Sequence, residues 1–219
     1  TSVTSTSVTI SSTTTTTDRC YPIADIVFVI DTSTSIEDEE FGGFKGGVNK
    51  LAEFAACIVR DLDDEVHKEG IRVAAVTFDT TARVRFGFIG GLGGFTPSAT
   101  WVDRSAEEIA ESLEKIEYTA QAGVQTDTNI HAGLEIVRTQ LVALGESSGY
   151  RGQAMHVIVL SDGNAQNGAG NANELLLQEL NTAIYSQTPS VSRWAFGTGT
   201  QVGFGTLAQI APMRDVTKT

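Results

Sequence analysis

The fold of this chain is decided by residues 26–35, which read Ile26-Val27-Phe28-Val29-Ile30-Asp31-Thr32-Ser33-Thr34-Ser35. The first half is an uninterrupted apolar run rich in β-branched residues, which is typical of a central strand covered on both faces. The second half is polar and begins where that strand ends. Because ligands of open parallel sheets bind outside the carboxyl ends of the strands, this junction predicts a binding site at the edge of a buried sheet.

Beyond this segment, predicted strands and helices alternate to the end of the chain. The strands are expected at 71–78, 82–88, 157–160 and 191–196, and the helices at 39–61, after Ser105, after Thr128, at 174–185 and at 204–210. The short turn at 79–81 joins the first two of these strands into a hairpin. Elements of these lengths in this order predict an α/β sandwich with a mostly parallel sheet.

The front half of the helix predicted at 39–61 contains four glycines. These are Gly42, Gly43, Gly46 and Gly47. Each weakens a helix interior by about 1 kcal/mol relative to alanine. The sequence therefore leaves the first residue of this helix undefined.

Composition excludes several classes of protein. The 219 residues include 15 Lys+Arg and 27 Asp+Glu, for a net charge of −12. Nucleic-acid binding and a polybasic membrane patch both need a basic face, so neither is expected. No apolar run approaches the roughly 20 residues that span a bilayer. The hydrophobic content of 41% is enough for one sizeable core.

Residues 1–19 differ in composition from the domain predicted at 20–219. Residues 1–17 are almost entirely Thr and Ser, so this segment cannot bury enough apolar surface to order itself. It is interpreted as a stalk that carries O-linked sugars, or alternatively as an unmodified linker. The candidate glycosylation sites are Thr13, Thr14, Thr15, Thr16 and Thr17. Because Thr and Val favour strands, the segment could also pair with a neighbouring chain and mediate self-assembly.

The chain contains two cysteines, Cys20 and Cys57. Cys20 precedes the first strand, and Cys57 lies near the end of the following helix. In a βα unit those two ends meet at one edge, so a disulfide is geometrically sensible and would indicate a secreted protein. The alternative is two buried free thiols in a cytosolic protein.

Three polar clusters are predicted to converge at the carboxyl edge of the sheet. They are Asp31 to Ser35, Thr126 to Asn129, and Ser161 to Gly163. Together they supply two carboxylates and several hydroxyls, which are all oxygen ligands and too few to saturate a cation. Such a set suits a hard ion, Mg²⁺ or Mn²⁺, that keeps several waters.

These clusters resemble the metal-ion-dependent adhesion site of von Willebrand factor A-type domains. The resemblance rests on Asp31-x-Ser33-x-Ser35, on Thr128-Asn129-Ile130-His131-Ala132-Gly133-Leu134, and on an apolar strand that ends in Ser161-Asp162-Gly163. It covers roughly residues 24–214. It implies a Rossmann-like three-layer sandwich with helices on both faces and one antiparallel edge strand, at 82–88.

The resemblance also implies how each residue would act. Ser33 and Ser35 would bind the metal directly, Thr128 directly or through water, and Asp31 and Asp162 mostly through water. A protein partner would complete the coordination by donating an Asp or Glu carboxylate. Thr126 is the competing threonine, although the step from Thr128 to Leu134 matches the family better.

Two features depart from the family pattern. Four acidic residues, 37–40, follow the first motif directly. In the related integrin subunits such residues hold an adjacent Ca²⁺, which here would fall on Asp38 and Glu39; an acidic helix N-terminus is the preferred interpretation. The chain also stops at Thr219. If the last strand begins at Arg214, the family's final helix is missing or lies beyond this sequence.

The function expected from these observations is an extracellular adhesion or matrix-assembly module that binds a protein ligand through a metal. The principal alternative is an intracellular scaffold domain of the same fold. A metal-dependent hydrolase is a remote alternative, since the sequence has no GxSxG, HExxH or Walker A motif. We therefore expect no enzymatic activity.

Overall fold

The computed structural model describes residues 23–37, 43, 45–67, 69–88, 104–118, 127–142, 150–151, 154–163, 191–199 and 204–210. Its strands are β1 Ala24–Asp31, β2 Ile71–Phe78, β3 Ala82–Phe86, β4 Ala154–Ser161 and β5 Val191–Gly197. Its helices are α1 Thr34–Glu37, α2 Gly47–Leu62, α3 Ala106–Glu114, α4 Ile130–Ile136 and α5 Phe204–Ile210. A 3₁₀ turn, Asp63–Glu65, follows α2, and a π-helical segment, Val137–Val142, continues α4. The helix predicted at 174–185 lies outside the described residues.

The strands form one five-stranded sheet in the order β3-β2-β1-β4-β5. The apolar strand β1 lies at its centre and pairs in parallel with both β2 and β4. Only β3, at the edge of the described sheet, is antiparallel to its neighbour. The predicted fold class is therefore confirmed, including the antiparallel edge strand.

Helices cover the sheet on both faces. Since alternate residues of β1 point in opposite directions, the strand contributes side chains to a separate core on each face. Phe28 and Ile30 belong to a core shared with α2 and α3. Val27 and Val29 belong to a second core shared with α4 and α5. All four side chains are completely buried. This two-sided burial explains why β1 reads as a continuous apolar run rather than an alternating one.

Several predicted boundaries shift by a few residues. The edge strand ends at Phe86 instead of residue 88, and Gly87 and Phe88 follow it outside the sheet.

None of the described helices is long and apolar enough to cross a membrane.

The glycines before α2 allow close packing rather than merely weakening the helix. Gly46 is the N-cap of α2 with a φ of 80°, a conformation that side chains rarely adopt, so the helix begins at Gly47 rather than near residue 39. A Cβ atom on Gly47 would lie 2.2 Å from the carbonyl oxygen of Ile36, and one on Gly43 would lie 2.1 Å from that of Ser35. The backbone around α1 thus touches the start of α2.

We expect Gly47→Ala to destabilise the protein by about 1–3 kcal/mol, as overpacked sites do, because its new methyl group meets backbone that cannot yield. Gly205→Ala in α5 is the matched control, since a Cβ there meets nothing within 4 Å. That variant should be neutral or gain up to about 1 kcal/mol from helix propensity. Urea unfolding of both variants measures the difference, and equal midpoints for the two would contradict the close approach.

Candidate metal site

Three hydroxyl groups form a compact triangle at the carboxyl edge of β1. The Ser33 Oγ lies 3.0 Å from the Ser35 Oγ and 2.9 Å from the Thr128 Oγ1. The third side, from the Ser35 Oγ to the Thr128 Oγ1, measures 3.1 Å. All three residues are buried. The structure therefore brings together the three hydroxyl residues predicted to bind a metal, although Thr128 is far from the two serines in sequence.

The spacing of the triangle fits the coordination of a small divalent cation. Octahedral Mg²⁺ holds its oxygen ligands at about 2.0–2.1 Å, so neighbouring ligands lie about 2.9 Å apart. The three observed edges of 2.9, 3.0 and 3.1 Å are close to that value. Little rearrangement is needed for the hydroxyls to form one face of a coordination octahedron, with the opposite face left for water or a ligand.

Asp31 is fixed by hydrogen bonds at both carboxylate oxygens. Its Oδ1 accepts from the backbone N–H of Ser33 at 2.9 Å, and its Oδ2 accepts from the Ser161 hydroxyl at 2.6 Å. Ser161 in turn accepts from the Gly163 N–H at 3.0 Å. Ser161 is not one of the predicted metal ligands. The structure shows that it connects the ends of β1 and β4 by positioning Asp31.

Burial makes a negative charge on Asp31 costly. The side chain is fully buried, and the pKa of Asp31 is raised from 3.8 to about 7, chiefly because burial disfavours the charged form. Within that net shift, the hydrogen bonds from Ser161 and Ser33 oppose the rise and the nearby Asp162 carboxylate adds to it. Asp162 is itself only 2% exposed. Two buried carboxylates behind neutral hydroxyls favour a cation, whose charge would offset their repulsion.

The turn of the β2–β3 hairpin holds the loop that carries Thr128. The Asn129 N–H donates to the Asp79 carbonyl at 3.0 Å, and the Asp127 N–H donates to the Thr80 hydroxyl at 3.0 Å. The Asn129 side chain caps α4 by accepting from the Ala132 N–H at 3.1 Å. Thr128 is therefore placed from both sides. Thr126, the competing threonine, lies outside the described residues.

The acidic run after the first motif begins with a helix cap. The two carboxylate oxygens of Glu37 accept hydrogen bonds from the N–H groups of Gly46 and Val48, both at 2.8 Å, at the start of α2. Glu37 therefore satisfies backbone N–H groups at the start of α2. Asp38 and Glu39, the residues proposed for a second cation, lie outside the described residues. Within the described ranges, no three His, Cys, Asp or Glu side chains group together to hold a metal.

The cysteine prediction receives no support. Cys57 is exposed on α2 and has no disulfide partner among the described residues, and Cys20 lies outside them. The Cys20–Cys57 disulfide remains a prediction that non-reducing peptide mapping would test.

Comparison with known proteins gives consistent matches. The model of the von Willebrand factor type A domain family matches residues 25–217. Matrilin-3 from Gallus gallus is 26% identical over 175 residues, which cover 80% of this chain and 31% of matrilin-3. The solved structure of proximal thread matrix protein 1 from the mussel byssus has a TM-score of 0.63 at 23% identity, and the match covers 88% of this chain and 40% of that one.

Another structure of the mussel protein has zinc in its metal-ion-dependent adhesion site (MIDAS). Its TM-score is 0.60 at 23% identity, and the match covers 89% of this chain and 42% of that one. The chain thus spans less than half the length of each of these relatives. The likeness to solved structures agrees with the observed sheet order and its two helical layers. With a family model that matches nearly its whole length, the chain belongs to the von Willebrand factor type A domain family.

Proposed function

We propose that this chain is an extracellular matrix module that binds a protein ligand through one divalent cation, Mg²⁺ or Mn²⁺. Ser33, Ser35 and Thr128 would contact the cation, and Asp31 and Asp162 would supply negative charge behind them. The observation that carries the proposal is the hydroxyl triangle, whose edges match those of an octahedral face.

The donor set explains why the ligand would carry a carboxylate. Three neutral hydroxyls leave most of the charge of a bound cation uncompensated on its outer side. A bound cation supplies Lewis acidity and a site for one more oxygen ligand. The chain's own residues orient this site and exclude water from its inner side, because all five are buried. An Asp or Glu of the partner suits the outer position, and binding requires no reaction by any residue of this chain.

The relatives support an extracellular setting. One is a matrilin, and another is a thread matrix protein of the mussel byssus. One structure of the mussel protein has zinc bound at its metal-ion-dependent adhesion site. Secretion, the disulfide and O-linked sugars on residues 13–17 belong to the same proposal. Self-assembly through residues 1–19, which lie outside the described residues, is a further part of it.

We expect ligand capture to depend on the metal. Protein immobilised on beads should retain its partner from an extract of the source matrix in Mg²⁺, lose it in EDTA, and recover it when Mg²⁺ is restored. Ser33→Ala should not recover it, because one corner of the triangle is gone. Ser112→Ala is the matched control, since it removes another buried serine hydroxyl, bonded to the Glu108 carbonyl in α3. Capture that is indifferent to EDTA would place the interaction elsewhere on the molecule.

A further inference from the structure

A small polar pocket opens next to the metal site, on the side of the edge strand β3. The empty space between its walls is about 270 Å³, a figure that includes open solvent at its mouth. Its lining residues are Thr32, Thr77, Asp79, Arg83, Arg85 and Glu117. Thr32 lies between Asp31 and Ser33 in the chain, so the pocket and the metal site share one loop.

A β-bulge places Arg85 in this pocket. Ala75 pairs with Phe86 and Val76 pairs with Val84, so the residue between them, Arg85, has no partner on β2. The additional residue is displaced from the ladder, as bulged residues usually are. Arg85 is half-buried as a result.

The guanidinium of Arg85 has no counter-ion in the part of the chain that the structure describes. Its pKa is lowered, first by burial and then by the positive charge of Arg83. Arg83 is already paired, with 3.4 Å between its Nη2 and the Asp79 Oδ2. Thr77, which also lines the pocket, is 2% exposed. The pocket thus contains a half-buried guanidinium with no ion-pair partner among the described residues, together with the side chains of Thr77 and Glu117.

We propose that this pocket binds one carboxylate of an acidic peptide segment, as a second contact for the ligand whose other carboxylate completes the metal site. The inference deepens the proposed function and rests on it. A guanidinium forms bidentate hydrogen bonds with a carboxylate, and a half-buried one gains most from such a partner. A ligand with two acidic residues would therefore bind more tightly than a ligand with one.

The surrounding charges favour an acidic peptide over a sulfated glycan. Asp79 and Glu117 line the same pocket, so it accommodates a single anionic group. The net charge of −12 would repel a polymer that carries sulfates along its length. A peptide brings one carboxylate to Arg85 and one to the metal, and few other charges.

The test separates the pocket from the metal by working first in EDTA. The probe is a synthetic acetylated peptide with two aspartates separated by two glycines, titrated while the backbone N–H signals of β3, which every variant retains, are followed by NMR, together with the Arg85 side-chain N–H in the proteins that have it. A saturable shift is expected in EDTA, and Mg²⁺ should increase the affinity. Arg85→Gln should weaken binding in EDTA by about tenfold or more, because a charge-assisted hydrogen bond is lost. Arg85→Lys keeps the positive charge but cannot form the bidentate hydrogen bonds of a guanidinium. Its affinity for the peptide should therefore lie between those of the wild type and Arg85→Gln.

Lys50→Gln is the matched control, because it removes one positive charge from an exposed residue of α2. Its affinity should equal that of the wild type. If the probe binds only in Mg²⁺ and Arg85→Gln has no effect, the pocket inference is wrong and the metal proposal stands. If the probe shifts Arg85 in EDTA but Mg²⁺ adds nothing, the pocket contact stands without the metal-bridged ligand. If a sulfated heparin disaccharide shifts Arg85 and the peptide does not, the peptide assignment is overturned.

Discussion

Asp31→Asn is expected to abolish divalent-cation binding and to leave the metal-free protein at least as stable as the wild type. The substitution removes the charge and keeps the shape. The asparagine oxygen can still accept from the Ser33 N–H, and its amide can donate to the Ser161 hydroxyl, which in the native protein is itself the donor to Asp31. A loss of binding would therefore report the charge and not a collapsed loop.

The stability of the metal-free variant follows from the burial of Asp31. A carboxyl whose folded-state pKa is raised contributes stability below its unfolded pKa and loses that contribution as the pH rises through its folded value. For Asp31 that window runs from 3.8 to about 7. At pH 8 the wild-type protein bears the cost of a buried charge, which asparagine lacks.

Thermal unfolding with and without Mg²⁺ measures both effects at once. Cation at 100 times its dissociation constant should stabilise the wild type by about 2.7 kcal/mol and should leave Asp31→Asn unchanged. Ser112→Ala, the remote buried hydroxyl, should retain the full metal-dependent increment. An Asp31→Asn protein that Mg²⁺ stabilises as strongly as the wild type would remove Asp31 from the site.

Arg151→Met is expected to destabilise the fold by about 3–5 kcal/mol, because it leaves a buried carboxylate without its partner. Arg151 donates to the Asp25 Oδ1 through its Nη2 at 2.6 Å and through its Nε at 3.1 Å. Its Nη2 also donates to the carbonyls of Ala24 and Gly70, each at 2.8 Å. Asp25 is 0% exposed. One side chain thus joins the starts of β1 and β2, at the edge opposite the metal site.

Two further variants identify the cause of that loss. Arg138→Met makes the same substitution at a partly exposed pair with Glu135, which should contribute less than about 1 kcal/mol. Asp25→Asn combined with Arg151→Met removes both charges and should restore part of the stability. If the double variant is no more stable than Arg151→Met alone, packing and not the uncompensated charge explains the effect.

The pH dependence of the same difference gives a second check. Burial raises the pKa of Asp25 above 3.8, and Arg151 opposes that rise, so Arg151→Met should raise it further. In the variant, Asp25 becomes neutral at a higher pH than in the wild type. The cost of Arg151→Met should therefore be smaller at pH 5 than at pH 8, as measured by urea unfolding at both values. A cost that is the same at both pH values would contradict an ionised Asp25.

Local signals in the sequence were sufficient for most of the fold. The apolar runs predicted β1 and β4 because buried parallel strands need apolar side chains on both faces. The helix expected after Ser105 begins there, and Ser105 and Glu108 form both hydrogen bonds of a capping box at its start. The start of α2 was not predictable, since glycine lowers helix propensity whether or not neighbouring backbone needs the space. Gly47 leaves space for the carbonyl oxygen of Ile36, and this close approach is known only from the tertiary structure.

Most of the elements, the family and the polar residues at the strand ends could be read from the sequence, because periodicity and residue chemistry are local properties. The tertiary structure decided how those residues meet. Ser33 and Thr128 are 95 positions apart, and only the packing of α4 on the sheet sets their hydroxyls 2.9 Å from each other. The same holds for Ser161 against Asp31 and for Arg151 against Asp25. Contacts between distant segments depend on how the whole chain packs, and no local pattern encodes their distances.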